Sequence, residues 1–119
     1  MTLPKYVNIL GFRYRVYCNA GPKAKKVLKT ERGIEGGQLG HVYHLASEIY
    51  INPYQSEREK FLTLLHESMH CINYHLFMGK LLTKHKDDEI VLDQMATALM
   101  SFIQSNRGLC QKIGKLRNL

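Results

Sequence analysis

The sequence contains no tryptophan, and it has only three prolines and three cysteines, Cys18, Cys71 and Cys110. The cysteines are odd in number, widely spaced and without a CxxC pair, so packed thiols are expected instead of a disulfide framework or a zinc ribbon. No apolar run reaches the roughly 18 residues that suggest a membrane span. The N-terminus lacks the apolar stretch and cleavage site of a secretory signal. These absences predict a cytoplasmic protein that does not interact with membranes.

The chain has 119 residues, of which 45% are hydrophobic and 23% are charged, and this composition predicts one globular domain over residues 1–119. Its net charge is +7, concentrated in a basic, glycine-rich loop at about 20–37 and a basic tail at about 107–119. Neither segment has the interleaved aromatic residues or the recognition helix of a nucleic-acid binder. Nucleic acid is therefore a less favoured partner than protein, and the oligomeric state stays open.

The first half of the chain has the composition of β-strands. In residues 6–18, apolar and polar residues alternate after Gly11, which separates two short strands. Further strands are predicted at residues 39–44 and 48–52, where Pro53 ends the pattern. The connection at 19–38 has room for a short irregular helix around residues 24–28. We expect a small antiparallel sheet of about three strands.

The second half changes to helical periodicity. Ser56 and Glu59 form a capping box, and the apolar residues that follow predict a helix over about 57–78, closed by Gly79. Asp87 or Asp88 is expected to cap a second helix that continues to about 105. Gly108 is expected to break that helix, leaving a tail that is at most a short basic helix. Strands followed by two long helices predict an α+β fold.

The first long helix contains an HExxH motif, His66-Glu67-Ser68-Met69-His70. Residues i and i+4 lie on the same helix face, so both imidazoles can reach one metal ion. Glu67 lies beside that ion, where it can take a proton from a bound water. Zinc lowers the pKa of such a water towards 7, which makes hydroxide available at neutral pH. The motif therefore predicts a zinc site.

A catalytic zinc ion usually has three protein ligands and one open position. The candidates for the third ligand are His75, His85, Asp87, Asp88, Glu89 and Asp93. His75 points away from the other histidines, and His85 lies in a basic connector. Glu89 is favoured because it opens the second helix, which can return to the site. Asp93 lies one turn further on, where it can accept the outer N–H of a ligand histidine.

HExxH followed by Glu89-x-x-x-Asp93 resembles the gluzincin metallopeptidases. The closer resemblance is to small phage and bacterial metallopeptidases of the ImmA/IrrE type, over roughly residues 6–105. It is carried by residues 49–52, 64–70 and 89–99. It implies a minimal hydrolase domain in which a small sheet packs on two long helices. The HExxH motif would lie on the first helix and the third ligand on the second.

The resemblance also implies roles for particular residues. One Zn²⁺ ion would be held by His66, His70 and Glu89, with Glu67 as general base and Asp93 behind a ligand histidine. In such peptidases the sheet edge before the HExxH helix holds an extended substrate by strand addition. Substrate binding would then fall to the strand over 48–52, with its residues Ile49, Tyr50 and Ile51.

Peptide hydrolysis also needs a hydrogen-bond donor for the developing oxyanion. The sequence leaves the choice open among Tyr54, Tyr74, His75 and His44. The leading hypothesis is a zinc-dependent peptidase that cuts one or few protein targets. The alternative is a non-catalytic regulatory module on the same zinc fold, which acts on a protein or nucleic acid through its basic surface.

Overall fold

A computed structural model describes residues 2–29, 37–80 and 85–116 of the chain. The fold is α+β, as predicted. In chain order its elements are β1 (Tyr6–Ile9), β2 (Phe12–Tyr17), α1 (Pro22–Val27), β3 (Gly40–Tyr43), β4 (Glu48–Ile51), α2 (Glu57–Phe77), α3 (Lys86–Ser105) and α4 (Arg107–Gly114). The predicted basic loop at about 20–37 and basic tail at about 107–119 lie partly outside the described residues. Among the described residues, no helix is both long and apolar enough to span a membrane.

The sheet has four strands in the order β1-β2-β4-β3. β1 and β2 form an antiparallel hairpin, β2 and β4 run parallel, and β3 and β4 run antiparallel. The predictions of about three strands and of a wholly antiparallel sheet were therefore wrong. A parallel neighbour needs a long crossover connection. The segment between β2 and β4 supplies it, since it contains both α1 and β3.

The two faces of the sheet are covered by different helices. On one face, Tyr14, Val16, Ile49 and Ile51 pack in a buried cluster with Leu64 and Cys71 of α2. On the other face, Tyr50 packs in a second cluster with residues of α1, namely Ala24 and Val27, and with Leu28. Because successive side chains of a strand point to opposite faces, β4 is buried on both sides. It is the central strand of the packing.

α2 begins as the capping box predicts. Ser56 has extended backbone dihedral angles, and its side chain accepts a hydrogen bond of 3.2 Å from the Glu59 N–H. The helix ends at Phe77, and Met78 and Gly79 follow with φ angles of +53° and +74°. Two successive residues in the left-handed region reverse the chain and send it towards α3.

α3 begins earlier than the sequence predicts. Its N-cap is His85, whose Nδ1 atom accepts a hydrogen bond of 3.2 Å from the Asp87 N–H. The prediction that Asp87 or Asp88 caps the helix was wrong, whereas His85 does lie before the first helical residue, Lys86, as its predicted place in the connector requires. Both aspartates instead lie in the first turn, where their charge faces the positive end of the helix dipole. The break after α3 falls at Asn106, and Gly108 lies inside α4.

Candidate metal centre

Two histidines of α2 and a glutamate of α3 converge at one point of the structure. His66, His70 and Glu89 offer donor atoms that all lie within 4.8 Å of one another. The Nε2 atom of His66 lies 2.8 Å from one Glu89 carboxylate oxygen, and the Nε2 atom of His70 lies 3.0 Å from the other. The helical spacing of i and i+4 places both imidazoles on one face of α2, where the rings meet edge to face. The packing of α3 beside α2 brings in the carboxylate.

Asp93 fixes the orientation of one imidazole. Its Oδ1 atom lies 2.7 Å from the Nδ1 atom of His66, on the opposite side of the ring from Glu89. A neutral imidazole carries one N–H, so it can donate to only one of these two carboxylates. If it donates to Asp93, the lone pair of Nε2 faces the Glu89 oxygen. A cation between the donor atoms would remove that repulsion, so the geometry fits a bound metal ion.

The chemistry of the donor set also fits a metal. Imidazole nitrogen and carboxylate oxygen are ligands of Zn²⁺ and of several other divalent transition metals. Cys71 follows His70 in the sequence, but it is fully buried in the core. Burial raises the pKa of the Cys71 thiol to about 12, so the thiol stays protonated at neutral pH. It therefore packs as an apolar side chain and is not a thiolate ligand.

Glu67 lies next to this cluster and is only 8% exposed. It packs against the first residue of β3, Gly40. A Cβ atom added at Gly40 would lie 2.7 Å from the Thr63 Cγ2 atom, 3.0 Å from the Glu67 Cγ atom and 3.1 Å from a Glu67 carboxylate oxygen. Only glycine allows β3 to approach α2 this closely. Gly40 was not singled out from the sequence, although a glycine at the start of a predicted strand is a signal for a close backbone approach.

A cavity of about 700 Å³ opens above the three donors. Its walls come from β3 and the turn after it on one side, and from α2 and α3 on the other. The residues that line the cavity include Gly40, His41, Val42, His44, Gln55, His66, Glu67, His70, Glu89 and Asp93. The predicted general base, the three predicted ligands and Asp93 therefore share one cleft with a β-strand.

The strand at this cleft is not the predicted one. β4, which contains Ile49, Tyr50 and Ile51, is paired with β2 on one side and β3 on the other, and these three residues are buried. The prediction that they form the sheet edge was wrong, because the crossover inserts β4 beside β2. In the part of the chain that the structure describes, β3 is the edge strand on this side of the sheet and β1 lies at the other edge. The β3 residues His41 and Val42 line the cavity.

The candidates for the oxyanion donor occupy different places. Tyr54 is 60% exposed, and His75 stacks on Phe12 with the ring centroids 3.8 Å apart. Tyr74 stacks on His44 with the ring centroids 4.0 Å apart. Of these candidates, it is His44 that lines the cavity.

His44 is held by a buried tyrosine as well as by this stacking. The Tyr14 hydroxyl lies 3.3 Å from the His44 Nδ1 atom and 2.5 Å from the His75 Nε2 atom. Burial raises the pKa of Tyr14, so its hydroxyl stays protonated. A hydroxyl has one hydrogen, so it can donate to one imidazole and accept from the other. Tyr14 therefore connects His44, which lines the cavity, to His75 of α2, which does not.

No protein-family model, curated protein or solved structure matches the chain. Any assignment of function therefore depends on the cleft itself, on its donor atoms and on the strand beside it.

Proposed function

We propose that the protein is a zinc-dependent metallopeptidase that hydrolyses peptide bonds in one or few protein targets. The observation that carries this proposal is the convergence of His66, His70 and Glu89 in one cleft with the buried residue Glu67. Two imidazoles and one carboxylate are the ligand set of a known class of zinc peptidases, which leaves the fourth position to water. The HExxH resemblance supports the same conclusion.

In this proposal the ligands are oriented before the metal arrives. Asp93 accepts the Nδ1–H of His66, which leaves Nε2 unprotonated and directed at the metal position. A bound zinc ion would supply Lewis acidity and lower the pKa of its water towards 7. Glu67 takes the proton of the attacking water and delivers it to the leaving amide nitrogen. Its packing against Gly40 restricts the directions in which its carboxylate can point.

Substrate binding is assigned to β3. An extended peptide that pairs with the outer edge of β3 would lie along the cleft and pass over Glu67. His41 and Val42 line that cleft, so this stretch of β3 would run beside the residues that flank the cleaved bond. His44 is the best placed donor to the carbonyl oxygen that becomes negatively charged, because Tyr14 and Tyr74 hold its ring at the cavity wall.

The test combines metal analysis with cleavage of an unbiased peptide library. The purified protein is expected to contain about one zinc ion per chain, and His66→Ala is expected to lose it. Mass spectrometry of a proteome-derived peptide library should show new termini with the wild type but not with Glu67→Gln. The matched control is Glu57→Gln, which makes the same chemical change in the first turn of the same helix.

The outcomes separate the site from the activity. Unchanged metal content in His66→Ala would contradict the proposed ligand set. Cleavage that survives Glu67→Gln would contradict the mechanism. Normal zinc content with no cleavage by the wild type would favour the non-catalytic regulatory module, which acts through its basic surface.

A further inference from the structure

The hairpin formed by α2 and α3 has a second long face, on the side away from the metal cleft. Three residues of α3, Leu92, Ala96 and Met100, are buried. Glu89 and Asp93 lie to one side of this buried stripe, towards the cleft. On its other side a row of large apolar side chains is exposed to solvent: Val91, Met95, Leu99 and Phe102.

The neighbouring part of α2 continues this apolar row. Ile72 and Leu76 are exposed, and Phe61, Leu65 and Met69 on the same helix face are half-buried. At 100° per residue these positions lie on the flank of α2 opposite to Glu67. Because His66 meets both Glu89 and Asp93, the two helices run side by side, and their outer flanks join. We call this surface the outer apolar face.

The outer apolar face is large for a monomer. Its six exposed side chains, Ile72, Leu76, Val91, Met95, Leu99 and Phe102, are each between 38% and 57% exposed. Together they present on the order of 500–600 Å² of apolar surface, which is at the upper end of the largest patches found on monomers, and such patches are often functional. The half-buried members add to this area and bring it towards the roughly 800 Å² per partner that a specific interface buries. The size therefore indicates a surface that is covered by a partner.

The absence of charge on this surface favours a partner surface that is also uncharged. The chain carries a net charge of +7, yet residues 94–106 contain no charged side chain. Charged residues are depleted at the centre of protein interfaces. A highly charged partner would find no complementary group on this stretch of α3. A second copy of the same chain would bring no like charges together there, in spite of the repulsion that +7 imposes elsewhere.

We propose that the outer apolar face is the interface of a two-fold symmetric homodimer. The α2–α3 hairpins of two copies would pack face to face as a four-helix arrangement, a common way of burying apolar helix faces. Ala98 and Ser101 border the row on α3 and are small, so the helices can approach closely. Both metal clefts lie on the opposite side of their hairpins, so the dimer leaves them open to substrate.

Sedimentation equilibrium of the full chain tests this proposal. We expect the wild type to have twice the 13.8 kDa mass of one chain over about 1–200 µM, with dissociation at the dilute end. Leu99→Glu should lower the association constant by at least 100-fold, because it places two carboxylates at the two-fold interface. The matched control, Gln104→Glu, adds the same charge on the other side of α3 and should leave association unchanged.

A second variant protects the test against misfolding. If circular dichroism shows that Leu99→Glu is unfolded, then Met95→Lys, which substitutes a half-exposed side chain, gives the same prediction. A wild type that stays monomeric at the highest concentration would overturn the proposal. So would a dimer whose association constant neither variant changes, since another surface would then be the interface. Zinc content is measured in parallel and should be the same in all variants.

Discussion

Replacement of Gly40 by alanine tests how closely β3 and α2 are packed at the metal cleft. The added Cβ atom would lie 2.7 Å from the Thr63 Cγ2 atom and 3.0 Å from the Glu67 Cγ atom. Ordinary carbon–carbon contacts lie at about 3.5–4.0 Å, so either β3 or the side chains must move by up to about 1 Å. Overpacking of this kind costs about 1–3 kcal/mol.

The expected result has a structural and a functional part. A cost of about 2 kcal/mol should lower the melting temperature by roughly 6–12 °C in a domain of this size. A misplacement of about 1 Å of a catalytic group can reduce turnover by about 100-fold, so peptide cleavage should fall by that factor. Zinc content should not change, because the contacts of the added Cβ atom involve Thr63 and Glu67 and none of the proposed ligands.

A double variant separates the two parts. Thr63→Ser removes the methyl group closest to the new Cβ atom but keeps the hydroxyl that donates to the Gln55 Oε1 atom at 2.7 Å. Gly40→Ala combined with Thr63→Ser should therefore recover most of the lost stability. Cleavage should recover less, because the contact with Glu67 remains. A Gly40→Ala protein with wild-type melting temperature and wild-type cleavage rate would refute this account of the packing.

Two further predictions concern other groups of the structure. Asp93→Asn should weaken zinc binding by about 10–100-fold in a competition with a chelator, because it removes the carboxylate that accepts the His66 N–H. The control Asp87→Asn makes the same change at an exposed position of the same helix and should leave zinc affinity unchanged. Equal zinc affinities for the two variants would contradict the role of Asp93. Burial raises the pKa of Cys71 from 9.0 to about 12, so above pH 9 the unfolded chain releases a proton that the folded chain retains. The free energy of unfolding should therefore fall as the pH rises from about 9 to about 12. Part of this dependence on pH should be missing in Cys71→Ala. An identical dependence in both proteins would contradict the raised pKa of Cys71.

The site could be predicted from the sequence because its determinants are local. Two histidines at i and i+4 share a helix face whatever the rest of the fold, and the apolar spacing showed that residues 66–70 lie inside a long helix. Predicting Glu89 as the third donor required one further inference, namely that the second long helix returns alongside the first. A chain reversal directly before it made that return the simplest arrangement.

The order of the strands could not be predicted in the same way, because it depends on contacts between distant residues. Ile49, Tyr50 and Ile51 show strand alternation, but alternation does not say which strands lie next to β4. The burial of Tyr50 against α1 depends on the crossover from β2. That segment was predicted to be a connection with a short irregular helix, so a second buried face of β4 was not anticipated.

The helix N-caps could be predicted only as far as residue preferences describe them. Ser56 was identified because its hydroxyl and the glutamate three residues later form a known pair. His85 was missed because histidine is not among the residues that are strongly preferred at this position. Its imidazole nitrogen accepts the same type of backbone hydrogen bond as a hydroxyl or carboxylate does. Residue preferences describe frequency, whereas the geometry requires only an acceptor.

β3 is the edge strand on the cleft side of the sheet, and the two walls of the cleft therefore come from different parts of the chain. All three metal donors and Asp93 belong to the α2–α3 hairpin, whereas the opposite wall is formed by β3 and the turn that ends at Ser47. Substitutions at His41 would alter which peptide fits without disturbing the candidate metal donors. Gly40 is one of the points at which the two parts touch, together with Val42, which packs against the core cluster of α2, and His44, which stacks on Tyr74. Related proteins with different targets would be expected to vary along β3 and to retain this glycine.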